Sequence, residues 1–273
     1  ADQPNNYDNF VQWVKKYDPD VCVWCESSTN YKDNSSSPIT GTRYLPDGWP
    51  VLAARYGHAY TAIGGKRDNF PQVVTSKYPI KTLLKITDSD VPDKPITHGA
   101  GIQQIDVNGK AVNIVTLHMW PQAYAYGGSS SSNHEGDYYR EFEMQYILAH
   151  TVNDATYASQ QDWLMMGDFN SRSRLDEWYY NYGLDDTRYL VHNHILDNSD
   201  LIDIMASYYP GFFISSTGGN SRIDYMYASP SMYERIEKTM TLIDDWTVIV
   251  KTPYSNFSDP SDHRPIMTDF KMD

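Results

Sequence analysis

The chain has 273 residues, 40% apolar and 21% charged, a globular balance rather than a disordered one. Its net charge of −13 argues against a protein that holds nucleic acid by a broad basic face, although a bound cation can reverse the field locally for a phosphate substrate. No apolar run is long enough to span a membrane, and the opening ADQPNNYDNF carries no basic stretch followed by an apolar one, so no signal peptide is expected within this chain.

Taken in order, Asn9 to Tyr17 (NFVQWVKKY) has apolar residues at helical spacing, and Asp18-Pro19-Asp20 stops it. Val21 to Glu26 reads as a short buried strand ending in a carboxylate. Its Cys22 and Cys25 are spaced C-x-x-C, a pattern of zinc or redox sites. Residues three apart on a strand point to opposite faces, and a second cysteine pair is missing, so two buried thiols are expected instead. Ser27 to Trp49 is polar and reads as loop. Short strands follow at Ala59 to Ile63, Gln72 to Ser76, Gly101 to Val107 and Ala111 to Leu117, the last two joined by an Asn108-Gly109 hairpin turn. Gly127 to Asn133 is a polar loop, and Asp137 to Val152 is helical. Trp163 to Met166 and Ile223 to Ala228 are strands, Pro230 to Ile236 a short helix, and Trp246 to Val250 and Pro265 to Lys271 the closing strands. No repeat or linker divides the chain. Helices and strands mix along its length, which predicts one α/β or α+β domain.

Five features carry chemistry. In WLMMGDFNSRS a strand delivers Asp168 and Asn170, two residues apart and so facing the same way on extended chain. A carboxylate and an amide there suit a hard cation and a phosphoryl oxygen, although Gly, Asp and Asn also make an ordinary turn. In SDHRPI, Asp262 and His263 are adjacent on a loop; His263 suits proton transfer near neutral pH, against the plainer reading of a surface pair. His118 ends the strand IVTLH, where a histidine is commonly structural. Glu26 ends VCVWC and needs a partner for its charge, a metal or a basic side chain. Asp224 is an acid in an otherwise apolar strand, which implies a ligand or a salt bridge. Five such groups at strand ends in one chain favour a shared site.

GDFN, RIDYMYAS and SDHRPI, in that order, together with DPDVCVWCE, VVTSKYPI and VTLHMWP upstream, resemble the motifs of the endonuclease/exonuclease/phosphatase superfamily over nearly the whole chain. The resemblance implies a four-layer α/β/β/α sandwich, an α+β fold of two mainly antiparallel sheets flanked by helices, as a single domain over 1–273. That family opens with a strand carrying an asparagine, and no counterpart precedes the first helix here. By motif matching, Glu26 is the principal metal ligand, joined by Asp168, Asn170 and Asp262, for Mg²⁺ or else Mn²⁺ or Ca²⁺. Asp168 and Asn170 orient the attacking water, His118 binds phosphate, and Asp224 supports the phosphate site. Asp262 binds metal or orients His263, and His263 contacts the scissile phosphate or moves a proton. Arg172 and Arg174 are candidates for a second phosphate, and Trp120 and Tyr124 for stacking on a sugar or base. The implied activity is metal-dependent hydrolysis of a phosphate ester by a phosphodiesterase or phosphatase acting on a small or extracellular substrate, in a secreted or periplasmic setting. A DNA or RNA endonuclease is the alternative, and a non-catalytic member binding a glycan or partner is the rival of another class.

Overall fold

Apolar side chains recur every three or four positions from Tyr7 to Tyr17, and this stretch forms α1 of a computed structural model that describes residues 7–27, 48–68, 70–129, 134–241 and 261–272. After it come β1 (Val21–Trp24), α2 (Trp49–Ala54), β2 (Tyr60–Ile63), β3 (Val73–Ser76), β4 (Ile80–Ile86), β5 (Ala100–Val107) and β6 (Lys110–His118). The second half holds α3 (Glu135–His150), β7 (Trp163–Asp168), α4 (Glu177–Tyr180), α5 (Leu190–Asn198), β8 (Ile202–Asp203), α6 (Ile204–Tyr208), β9 (Asp224–Ala228), α7 (Pro230–Tyr233), β10 (Ile236–Thr241) and β11 (Ile266–Phe270).

One sheet has six strands in the order β4-β5-β6-β7-β9-β8, a second has three in the order β1-β3-β2, and β10 pairs with β11. Every pairing is antiparallel except β6 with β7. Both faces of the large sheet are buried, which is why its strands read as apolar on successive positions. On β7, Trp163 and Met165 pack toward α3 and α5 with Met144, Ile147, Val191 and Ile195. Leu164 and Met166 turn to the other face, among Val74 of β3, Ile114 of β6 and Ala228 of β9. The small sheet's outer face buries Ile63 and Val73 under Phe10, Val14, Trp49 and Leu52 of α1 and α2. The layers are therefore helix, sheet, sheet, helix, the four-layer sandwich that the motifs imply.

The expected elements differ from the folded ones where tertiary pairing decides. The first strand stops at Trp24, because Glu26 takes a left-handed φ of 52°. Ile80–Ile86 (IKTLLKI) is β4, an edge strand with exposed Lys81, Thr82 and Lys85, so its apolar pattern is broken. Ile236–Thr241 is a strand made by pairing with β11, not the end of a helix. Trp49 begins α2 rather than ending a loop, and α5 was not legible as a helix. The Asn108-Gly109 turn forms, with φ of 56° and 85°. Cys22 and Cys25 are free, half-buried thiols. Burial pushes the Cys22 thiol up to about 12 and raises Cys25 as well, so both are inert rather than redox-poised. The expected strand Trp246 to Val250 lies outside the described residues.

A candidate active site across three neighbouring strands

The register of the large sheet assembles the site. His118, last on β6, is paired with Asp168, last on β7, and Asp168 is paired with Asp224, first on β9. An imidazole and two carboxylates thus stand in a row, one strand spacing apart. The row depends on Gly167, whose φ is 149° and whose added Cβ would lie 1.9 Å from the Leu117 carbonyl oxygen. No side chain can occupy that position while β6 and β7 keep their spacing.

Beyond β7 the chain turns at once. The Asn170 amide N–H donates to Asp168 Oδ1 at 2.8 Å, and Asn170 adopts a φ of 47°. Asn170 Nδ2 donates to Met119 O at 3.1 Å, which ties the turn to the end of β6 and leaves the amide oxygen as the group for a ligand. Glu26 reaches the same end from β1. The Cys25 thiol donates to Leu117 O at 3.6 Å and seats that turn against β6.

His263 arrives on the loop before β11. Its Nδ1 lies 2.9 Å from Asp224 Oδ2 and 3.1 Å from Oδ1. Ser216 locks the pair together. Its hydroxyl donates to Asp224 Oδ2 at 2.8 Å and accepts from the Ile223 and Asp224 N–H groups, while its carbonyl accepts from Arg264 N at 2.6 Å. A bridge between Thr217 and His263 completes the joint. The residue that orients His263 is therefore Asp224. Asp262 has an exposed side chain and meets this network through its carbonyl, which accepts from Gly218 N.

The electrostatics separate the two histidines. Burial works against a charged His263, but its hydrogen bond to Asp224 and the charges of Asp224, Asp168 and Asp262 raise it to about 9, so it is an imidazolium at neutral pH. Burial lowers His118 to about 3, helped by His98, so His118 is neutral. Its Nε2 stands 4.0 Å from Glu26 Oε1 and 3.9 Å from Asp168 Oδ2. With a neutral ring these approaches are not ion pairs. Burial, and then the Asp224 charge, push the Asp168 carboxyl well above its usual range.

That excess of negative charge is the test of a cation's fit. Ligand atoms of Asp168, Asp224 and His263 lie within 4.8 Å of one another. Among the described residues, no Lys or Arg pairs with Asp168 or Glu26. Two carboxylates and an amide oxygen are hard donors, which suit a Mg²⁺-type ion and not a thiophilic one. The donor chemistry of Glu26, Asp168 and the Asn170 amide oxygen therefore suits such an ion, while Asp224 is engaged by His263.

The other expected residues are placed variously. Arg172 Nη2 donates to Ser221 Oγ at 3.0 Å and lies over Tyr180 and Tyr182, beside the loop that holds His263. Arg174 is turned to the surface and pairs with Asp197 at 2.6 Å. Trp120 donates its indole N–H to the Tyr124 carbonyl, in an aromatic cluster with Tyr126 and Tyr139 that adjoins Met119. Sequence reasoning missed Arg222, Ser216, Glu143, His98 and Asp68. Glu143 had a signal, an acid on the inner face of α3 between Tyr139 and Ile147; Ser216 had none.

A model of the Endonuclease/Exonuclease/phosphatase family matches residues 1–263. No curated protein sequence matches the chain. Among solved structures, an AP endonuclease from Archaeoglobus fulgidus is similar at 16% identity and TM-score 0.62, covering 97% of this chain and 93% of that one. The 3′ phosphatase NExo from Neisseria, bound to a product DNA hairpin, is similar at 16% identity and TM-score 0.62, covering 99% and 96%. The human Nocturnin catalytic domain is similar at 14% identity and TM-score 0.64, covering 98% and 86%. At these identities the structures report the fold, whereas the family model covers nearly the whole sequence. On that match, the chain belongs to the Endonuclease/Exonuclease/phosphatase family of hydrolytic phosphoesterases.

Proposed function

We propose that the protein is a divalent-metal-dependent phosphodiesterase or phosphatase, with Mg²⁺ as the first choice of ion and a small or extracellular phosphate ester as substrate. The observation that carries this reading is the lateral row of His118, Asp168 and Asp224, with His263 hydrogen-bonded to Asp224. Glu26, Asp168 and Asn170 would hold the ion, which would supply charge neutralisation on the phosphoryl oxygens and stabilisation of the leaving oxygen. The chain's own groups do the rest. Asp168, once ionised, orients and deprotonates the attacking water. His263, cationic and aimed by Asp224, offsets charge that grows on the phosphoryl group and can pass a proton to the leaving oxygen. His118 contributes a neutral N–H and adds no charge. Asp224 acts through His263.

The test is metal-dependent release of nitrophenol from bis-p-nitrophenyl phosphate. Turnover with Mg²⁺, Mn²⁺ or Ca²⁺ is expected, and Asp168→Ala and His263→Ala should each abolish most of it. Absence of turnover with all three ions overturns the enzyme reading and favours a non-catalytic member that binds through its tyrosines and tryptophans. A nuclease is the second reading, and the likeness to a phosphatase solved with a DNA product supports it. The net charge of −13 counts against it. Comparing DNA, a lipid head group and a sugar phosphate as substrates separates these. Among the described residues no helix is long and apolar enough to cross a membrane.

A further inference from the structure

The two histidines of the site are held in different ways. His263 has a carboxylate on Nδ1, the usual device for fixing an imidazole plane. His118 is 2% exposed, and its ring nitrogens make no close hydrogen bond among the described residues, the Phe70 backbone being the polar group that favours its charged form. The outer torsion of a histidine is broad, so such a ring relies on packing to hold one orientation.

The packing comes from His98. Its ring is stacked on His118, with centroids 4.4 Å apart and planes 23° from parallel. His98 is itself anchored. Its Nδ1 lies 2.7 Å from Asp68 Oδ2, and its carbonyl accepts from Lys66 N at 3.0 Å and from Gln72 Nε2 at 3.1 Å. Phe70 closes on it at 5.5 Å with its plane inclined by 67°. Buried Glu143 then joins the two segments that carry the pair. One carboxylate oxygen accepts from Thr97 N at 2.7 Å and the other from Trp120 N at 2.9 Å. Gly99 follows His98 with a φ of 70°, and a Cβ there would lie 2.4 Å from the Ile86 carbonyl oxygen. Backbone on both sides thus fixes where His98 sits.

We propose that His98, held by Asp68, is a positioning residue that sets the ring plane of His118 by stacking, so that Nε2 faces Glu26 and Asp168. Stacking has a chemical advantage over a carboxylate at this point. A carboxylate on Nδ1 would bring one more negative charge into contact with a ring that already faces two acids. With Asp68 one ring away, the plane is fixed without a further charge against the ring. The inference rests on the phosphoesterase reading for its effect on turnover, but not for the geometry.

The test compares His98→Leu, His98→Phe and Asp68→Leu in the full chain. One arm measures kcat and KM on bis-p-nitrophenyl phosphate with Mg²⁺. The other follows the side-chain ¹⁵N resonances of His118, assigned by their loss in His118→Gln. Misplacing a reacting group by about 1 Å costs up to about 100-fold, so His98→Leu should lower kcat by about 10-fold to 100-fold with KM within about twofold. His98→Phe keeps a flat ring and should recover most of kcat, which a merely structural contact would not require. Asp68→Leu, on a partly exposed side chain, should give a smaller loss of the same kind and serves if His98→Leu does not fold. His118 resonances should shift in His98→Leu and Asp68→Leu and hold in His98→Phe. Wild-type kcat and unmoved resonances in His98→Leu and Asp68→Leu, or His98→Phe no better than His98→Leu, overturn the proposal. A wild type without turnover strikes the phosphoesterase reading instead, and the resonances then decide on His98.

Discussion

Replacing Arg222 by methionine is the most informative perturbation of the scaffold under the site. Arg222 is 3% exposed and stands two residues before Asp224. Its Nε donates to Asp176 Oδ2 at 2.8 Å, its Nη1 donates to Asp203 Oδ1 at 2.9 Å, and its guanidinium lies 4.3 Å over the Tyr225 ring. Both acids are buried as well, at 3% and 1% exposure. Removing one partner from a buried ion pair costs about 3–5 kcal/mol, because the remaining charge has lost its compensation. For a chain this long that is a fall in Tm of about 10 °C. The loss should depend on pH. Even with Arg222 present, burial raises the Asp176 carboxyl above its usual range. Without the arginine that rise grows. A carboxyl whose folded pKa is raised contributes its stability below the unfolded value and loses it as pH rises toward the folded value. The variant should therefore be closest to wild type near pH 5 and furthest from it near pH 8, in urea titrations followed by tryptophan fluorescence. Adding Asp176→Asn and Asp203→Asn should restore part of the loss. A loss below about 1 kcal/mol that is the same at both pH values would refute the idea that this triad is a desolvated keystone.

Chelating divalent metal should abolish turnover, and saturating Mg²⁺ at about 100 times its Kd should stabilise the fold by about 2.7 kcal/mol in a thermal melt. Asp168→Asn should erase that Mg²⁺ shift while leaving the metal-free protein at least as stable as wild type, since burial disfavours the Asp168 charge; a less stable metal-free variant would contradict this. His263→Gln should lower kcat by about 10²–10⁴-fold, and wild-type kcat should fall as pH rises past about 9, where the imidazolium is lost. Burial holds His192 well below 6.5, so under about pH 6.5 the unfolded chain takes up a proton that the folded chain refuses, and stability falls by about 1.4 kcal/mol per pH unit for this group. His192→Gln should flatten the acid limb of a plot of Tm against pH, and an unchanged slope would count against it. Gly167→Ala should be among the most disruptive small substitutions, because its Cβ meets backbone at 1.9 Å rather than a movable side chain; soluble expression and Tm check it.

The sequence by itself determined the family, and with it the broad class of hydrolytic phosphoesterases, and it put forward the acids and imidazoles proposed to act there. Asp168 and Asn170 follow a strand and a glycine, but the shared direction read from extended spacing does not hold, because the chain turns at Asn170 and its N–H bonds back to Asp168 Oδ1. The layers were implied by the family resemblance, and the unbroken apolar run Trp163, Leu164, Met165 and Met166 agrees with a strand buried on both faces. What only the tertiary structure decided is who faces whom. His118 and Asp224 flank Asp168 because β6, β7 and β9 are neighbours in a fixed register, a relation between residues as far as 106 positions apart that local spacing does not encode. His263 is oriented by Asp224 and not by the adjacent Asp262, because neighbouring residues on a loop diverge while Ser216 draws distant ones together. Edge strands such as β4, and β10 with its pairing to β11, lay hidden for the same reason, since their hydrogen bonds come from partners elsewhere in the chain. The stack of His98 on His118 belongs to this second kind of information, and so does its anchoring by Asp68 and Glu143. Neither residue is marked by any motif, and each acquires its part only when helix, sheet and loop close on one another.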